Sequence, residues 1–214
     1  MIAIIDYGMG NLRSVQKALE TVGGRAKIVS TKSGLSIAEK IILPGVGAFG
    51  DAMKELRRLK LVEPIKEAIR EGKTFLGLCL GLQLLFETSA ESPGVKGLGI
   101  LKGRVKRFEF RNQKLKVPHM GWNNIKLQIT NYKLQTNPKS KILTNVPDGS
   151  YMYFVHSYYA EPKDKSVILA TTDYGINFAS GIWKDNIYAF QFHPEKSQKI
   201  GLQILKNFVS PQPD

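Results

Sequence analysis

A chain of 214 residues with one cysteine cannot close an intramolecular disulfide or build a multi-thiolate zinc site. Cys79 is therefore either packed filler or chemistry. Long apolar runs are missing as well. Asp6 interrupts the N-terminal stretch directly after Ile2 to Ile5, and nothing approaches the length of a membrane span. The opening residues also lack the basic region of a signal peptide, so a cytoplasmic protein with no membrane partner is expected. Acidic residues are outnumbered, 18 against 31 basic, a formal charge of +13 that would suit a polyanionic partner. Arginine, however, is scarce: 8 of the 31 are Arg and none follows Arg111. Base and phosphate readout favours the Arg fork, so a lysine-rich solvated surface is expected and no nucleic acid. Nothing in the sequence asks for a metal or an organic cofactor.

What is present is globular. Hydrophobic residues at 43% and charged ones at 23% match a folded chain, and the length suits one domain spanning residues 1–214. No repeat or low-complexity linker divides it.

The first half alternates strand and helix. Ile2 to Tyr7 reads as a short buried strand, and Asn11 can cap a helix on which Leu12, Val15, Ala18, Leu19 and Val22 keep helical spacing before Gly23-Gly24 stops it. Strands are expected over Ala26 to Val29, Lys40 to Leu43 and Thr74 to Leu78, with helices around Phe49 to Arg58, Pro64 to Glu71 and Leu80 to Glu87. This alternation predicts a parallel sheet with helices on both faces. From Gly103 onward the segments are short and bounded by turn residues: Arg104 to Phe108, His119 to Leu127, Tyr151 to Tyr159, Val167 to Thr172, Phe178 to Lys184 and Ile187 to Phe192. Antiparallel pairing between neighbours is expected, with an amphipathic helix over Ser197 to Val209 at the end.

Cys79 lies in Gly77-Leu78-Cys79-Leu80-Gly81, between a predicted strand and a predicted helix. A nucleophile on such a sharp turn needs small residues two before and two after it, because the backbone there runs close to its neighbours. The following helix also turns the positive end of its dipole toward the thiol, which favours thiolate. A cysteine nucleophile needs a base. Of the three histidines, His193 follows a strand and has a carboxylate two residues on, Glu195, that can orient its imidazole. Acyl transfer also needs donors for an oxyanion. The N–H of Leu80 is one, and the Gly45-Val46-Gly47 turn at the end of a neighbouring parallel strand offers another at Val46.

Together the elbow Gly77 to Gly81, the later His193-Pro194-Glu195 and the turn Pro44-Gly45-Val46-Gly47 resemble the class I (triad) glutamine amidotransferases over nearly the whole chain. The stretches Ile4 to Val15, Pro118 to Asn123 and Phe192 to Ser197 resemble, within them, the glutaminase subunits of imidazole glycerol phosphate synthase. The resemblance implies a flavodoxin-like α/β fold, a parallel or mixed central sheet flanked by helices with an added antiparallel sheet from the C-terminal half. It implies that Cys79 attacks the side-chain amide of L-glutamine, His193 shuttles the proton, Glu195 orients it, and water hydrolyses the thioester. It further implies that Gly47, Gln83, Glu91 and the Ser157-Tyr158 backbone contact glutamine. Gln83 has geometry of its own, since four residues beyond Cys79 is one helical turn along the same face. The ammonia is expected to pass to a cyclase subunit, a (β/α)8 barrel bound as a heterodimer, with His119, Met120, Gly121, Trp122, Asn123, Tyr153 and Lys196 at the interface or ammonia exit.

Three other functions fit parts of the pattern. A glutaminase of another biosynthetic amidotransferase would share the triad but lack the Asp6 to Asn11 opening and the Pro118 to Asn123 run. A stand-alone hydrolase of γ-glutamyl amides would need no partner, and a basic binding module would not need Cys79.

Overall fold

The computed structural model describes residues 1–110, 115–128 and 138–210. Its centre is a mixed sheet. Strands β1 (Ile2–Ile5), β2 (Ala26–Val29), β3 (Lys40–Leu43) and β4 (Thr74–Leu78) run parallel in the order β2-β1-β3-β4. They alternate with helices α1 (Leu12–Thr21), α2 (Lys32–Ser36), α3 (Phe49–Arg58), α4 (Val62–Arg70) and α5 (Leu80–Leu84). Asn11 caps α1 as the sequence predicts, its side chain accepting the Ser14 N–H at 3.3 Å. Strand neighbours face opposite layers: Ala3 and Ile5 join α3 and α4 on one side, whereas Ile2 and Ile4 join α1 and the C-terminal helix α6 (Gln198–Val209) on the other. Both faces of the strands are thus buried, which is why they read as unbroken apolar runs.

The later strands are β5 (Thr88–Ser89), β6 (Gly103–Arg107), β7 (His119–Asn124), β8 (Lys126–Leu127), β9 (Tyr151–His156), β10 (Tyr158–Pro162), β11 (Ile168–Asp173), β12 (Asn177–Lys184) and β13 (Ile187–Phe190). Most extend the central sheet. β13 joins β4 in parallel, then β12, β10, β6 and β5 follow, with β11 and β8 branching from β12. β12 pairs antiparallel with β13, β10 and β11, as does β10 with β6. Only β7 and β9 stand apart as an antiparallel pair, with His119 opposite His156 and Trp122 opposite Tyr153. In register, Leu43, Gly77 and Ala189 lie side by side on β3, β4 and β13. The three strands end level, so the segments that follow them, Pro44 to Gly47, Cys79 and Gln191 to Glu195, emerge at one edge.

Several expectations are corrected. The helix after Cys79 stops at Leu84 rather than Glu87, because the carbonyls of Leu84, Leu85 and Phe86 accept N–H groups from residues 98–101 instead of continuing the helical ladder. The run His119 to Leu127 breaks at Ile125, whose N–H and C=O bond Ser150 and Gly149, so its two parts serve different sheets. Tyr151 to Tyr159 likewise breaks at Ser157. Neither β6 and β7 nor β9 and β10 pair as neighbouring hairpins. Helix α2 lies in a stretch to which the sequence assigns no element; Thr31 caps it through the Gly34 N–H.

Candidate active site

At the edge where β3, β4 and β13 end, Cys79 adopts φ +52° and ψ −105°, a conformation an L side chain holds only under constraint. Its N–H donates to Phe190 of β13 at 2.8 Å, and its carbonyl accepts from Leu82 and Gln83 at 3.1 and 3.3 Å. The flanking glycines are sterically necessary. A Cβ on Gly81 would run into the Leu43 carbonyl, and one on Gly77 would lie 2.8 Å from the Gly81 carbonyl oxygen. The side chain of Cys79 is 5% exposed. Helix α5 has only five residues, so the positive group serving the thiol is a side chain more than a helix dipole.

That side chain is His193. Its Nδ1 is 2.8 Å from Glu195 Oε1, and both residues are buried. Nε2 makes no formed hydrogen bond among the described residues, yet interacts with the Cys79 sulfur. Burial alone would lower the imidazole pKa. The Cys79 sulfur and the Glu195 carboxylate outweigh it and push His193 up to about 10, so the arrangement favours the imidazolium. The main chain holds this pose: His193 N–H donates to Tyr153 at 2.9 Å, and the Ser197 hydroxyl donates to the His193 carbonyl at 2.6 Å while accepting from Tyr153 N–H.

Beside Cys79 opens a cavity of about 400 Å³, large enough for an amino-acid side chain with its head group. Val46, Gly47, Cys79, Leu80, Gln83, Glu91, Ser157 and Tyr158 all line it, with Pro118, Val155 and His156. The sequence-derived substrate and oxyanion residues, scattered over more than a hundred positions, thus line one cavity. Some of their polar atoms are committed. Glu91 Oε2 accepts the Phe49 N–H at 2.7 Å at the start of α3, and Gln83 Nε2 donates to the Tyr158 carbonyl at 3.0 Å.

The expected oxyanion donors are not both open. Leu80 N–H donates to the Gly45 carbonyl at 3.4 Å. Gly45 is held there by Tyr7, whose buried hydroxyl donates to the Pro44 carbonyl at 3.0 Å and sits against the Gly45 Cα, where a Cβ would collide with it. Burial, and next the charge of Cys79, drives the Tyr7 phenol well above its ordinary pKa.

Of the group placed at a partner face, Met120 and Trp122 are exposed on β7, Gly121 and Asn123 partly so. Trp122 meets Tyr153 edge-on at 6.0 Å, and Lys196 Nζ lies over the Tyr153 ring at 5.7 Å, making one continuous ridge. His119 is buried, with Nδ1 3.0 Å from His156 Nε2 in a nest of Phe108, Phe154, Tyr174 and Phe178. Strand alternation puts His119, Gly121 and Asn123 on the face opposite Met120 and Trp122. Burial lowers His119 to about 4 and His156 to about 3.

Sequence reasoning missed Tyr7, Gln191 and Ser197 as members of the site. Their only signal was position, Tyr7 within the Asp6 to Asn11 opening, Gln191 just before Phe192-His193, and Ser197 just after Lys196. No group of three or more acidic, His or Cys residues suited to a metal occurs among the described residues. No helix there is long and apolar enough to cross a membrane.

A thiol on a strained strand-to-helix elbow, a buried imidazole and carboxylate behind it, and a closed amide donor in front define a cysteine-dependent acyl-transfer site on a mixed α/β sheet. Residues 3–211 match the family model for glutamine amidotransferase class-I. The chain is 50% identical over 212 residues to the imidazole glycerol phosphate synthase subunit HisH of Geobacter metallireducens, covering 97% of each chain. It is 53% identical over 206 residues to that of Aquifex aeolicus, covering 96% of this chain and 94% of the other. It belongs to the class-I glutamine amidotransferases and, within them, to the HisH subunits. Among solved structures, a crystal structure of a glutamine amidotransferase aligns with TM-score 0.73 at 19% identity over 98% of both chains, a likeness of fold.

Proposed function

We propose that this chain is the glutaminase half of a two-part synthase. It hydrolyses L-glutamine to L-glutamate and ammonia through a thioester on Cys79 and delivers the ammonia to a HisF-type cyclase, a (β/α)8 barrel bound as a heterodimer. The cyclase uses it to form imidazole glycerol phosphate and AICAR in histidine biosynthesis. The observation that carries this reading is the shared cavity: the elbow thiol, Gly47, Gln83, Glu91, Ser157 and Tyr158 line it beside the His193–Glu195 pair.

The sulfur anion attacks the amide carbon of glutamine, and the carbonyl oxygen takes up negative charge. His193 gives its proton to the leaving nitrogen, so ammonia departs and a neutral imidazole remains. Water then attacks the thioester carbon, His193 takes its proton, and glutamate leaves as the Cys79–carbon bond breaks. Glu195 holds Nδ1 throughout, fixing which nitrogen faces the sulfur. The oxyanion of either tetrahedral stage needs the Leu80 N–H, so the Gly45 carbonyl must leave it for turnover to be fast. A hydrolase working alone has no use for that closed donor. An enzyme that withholds ammonia until its cyclase is in place does, and this favours the two-part reading.

The test is a reconstituted synthase carrying Cys79→Ala. Glutamine-fed cyclisation should vanish while cyclisation fed by ammonium salts continues at the parental rate. Loss of both, or of neither, contradicts the proposal.

A further inference from the structure

Gln191 is fully buried, follows β13 directly, and has no place in the mechanism given above. Its side-chain Nε2 lies 3.7 Å from Cys79 Sγ, in hydrogen-bonding geometry for sulfur. An amide side chain can be turned either way round, so the orientation needs an anchor. Gln83 supplies it. Gln83 Nε2 donates at 3.0 Å to the main-chain carbonyl of Tyr158, an acceptor that cannot be reversed, and the same nitrogen lies 3.2 Å from Gln191 Oε1. Gln191 therefore presents oxygen to Gln83 and N–H to the sulfur. The main chain of Gln191 is fixed as well, its N–H donating to Ser180 on β12 at 2.9 Å.

We infer that Gln191 is a further catalytic residue of this site: it donates a hydrogen bond to the Cys79 thiolate and, locked by Gln83, holds the sulfur as an anion aimed into the cavity. A donor buried against an acceptor gains most when that acceptor is charged, so the bond favours the ionised sulfur over the neutral thiol. His193 supplies the positive charge, and Gln191 supplies a second contact without adding charge, from β13's end rather than from the loop beyond it. Gln83 thereby does two things, lining the cavity and orienting the amide that serves the nucleophile. Among the described residues, the ionisable groups around this thiol are His193, backed by Glu195, Tyr7 from the segment after β1, and His156 and Glu91, which line the same cavity.

The inference rests on the reading of Cys79 as nucleophile, and its test separates the two. The rate of Cys79 alkylation by iodoacetamide is followed from pH 5 to 10 on the full chain, for the parent, Gln191→Met, which keeps length but loses the donor, and Gln191→Glu, which sets a carboxylate against the sulfur. Cys79→Ala serves as the blank. Loss of the donor should move the acid limb of the profile to higher pH, lowering the rate near pH 6 by about tenfold, with a larger loss for the glutamate variant. The plateau at high pH should stay at or above the parental level, since a less stabilised thiolate is the better nucleophile. A misplaced sulfur would instead react more slowly at every pH. Superimposable profiles, or a uniform fall, overturn the inference. If either variant fails to fold, the side-chain amide resonances of Gln191 in the parent decide: they should shift as Cys79 ionises and stay still in Cys79→Ala, and stillness in the parent contradicts the assignment. If iodoacetamide labels Cys79 as described while a glutamine-mimicking electrophile leaves it untouched even with a cyclase barrel bound, the glutaminase reading fails and the role of Gln191 at the thiol stands.

Discussion

The main-chain N–H of Leu80 is bonded to the carbonyl of Gly45 at 3.4 Å, so the amide best placed to receive an oxyanion at Cys79 is already occupied. A single oxyanion donor is worth about 10²–10³ in turnover. The isolated chain should therefore hydrolyse glutamine slowly, and a cyclase barrel should raise its kcat by about a hundredfold as the Gly45 carbonyl turns away. Glutamate release with and without the barrel measures this; equal rates would show that the closed donor has no bearing on turnover.

His193 and Glu195 should contribute unequally. In the proposed mechanism the imidazole carries the proton, whereas Glu195 only orients it and supports its charge through the 2.8 Å contact. His193→Ala should cost about 10³-fold or more in kcat, and Glu195→Gln less. The glutamine variant should also move the titration profile of the His193 imidazole, followed by NMR, to lower pH, because one of the groups holding it up to about 10 is lost. A Glu195 variant as inactive as His193→Ala, with an unmoved profile, would contradict the assignment.

The buried pair His119 and His156 makes a pH prediction of its own. Both are neutral in the fold, lowered to about 4 and about 3, whereas in the unfolded chain they titrate near 6.5. The unfolded state binds more protons below that value, so their contribution is complete above pH 6.5 and is lost as the pH falls toward 4. His193 has the opposite sign. Its contribution is complete below 6.5 and is lost as the pH rises toward 10. Urea unfolding should show a midpoint lower by roughly 1 M at pH 5 than at pH 7. Replacing His156 with Gln should flatten that slope; a parent midpoint constant across this window would refute it.

The fold was legible where the sequence alternated cleanly. β2, β3, β4 and α3 fall at the residues read from apolar period and turn signals, because strands buried on both faces and helices with one apolar stripe leave strong patterns. What stayed hidden depended on distant partners. The breaks at Ile125 and Ser157 come from long-range main-chain bonds with no local marker, and α5 is cut short by carbonyls taken up by residues 98–101. For the site, the elbow, the imidazole and the carboxylate carried motifs. Gln191 carried none, and Tyr7 lay in the Ile4 to Val15 stretch with no role of its own, since a glutamine and a tyrosine at the ends of expected strands look like ordinary core or edge residues until the fold brings them to Cys79 and Gly45.

If the ridge of Trp122, Tyr153 and Lys196 meets the proposed cyclase, it should divide affinity from coupling. Trp122 is 46% exposed on β7 and packs edge-on against Tyr153, a posture suited to insertion in a partner. Trp122→Ala should weaken the heterodimer about tenfold or more in Kd. Lys196, over the Tyr153 ring and next to Glu195, should matter little for affinity when changed to Ala, yet should raise the ratio of glutamate formed to imidazole product. Titration calorimetry with a cyclase barrel and a paired product assay check both. Unchanged affinity for the Trp122 variant would move the interface elsewhere.

The central claim is that Cys79 forms the bond to the substrate. Incubating the chain, with its cyclase barrel present, with a glutamine-mimicking electrophile and mapping the adduct by mass spectrometry tests it most directly. One equivalent on the peptide containing Cys79, blocked by excess glutamine and absent in Cys79→Ala, is the expected result; an adduct on any other residue, or none, would contradict it.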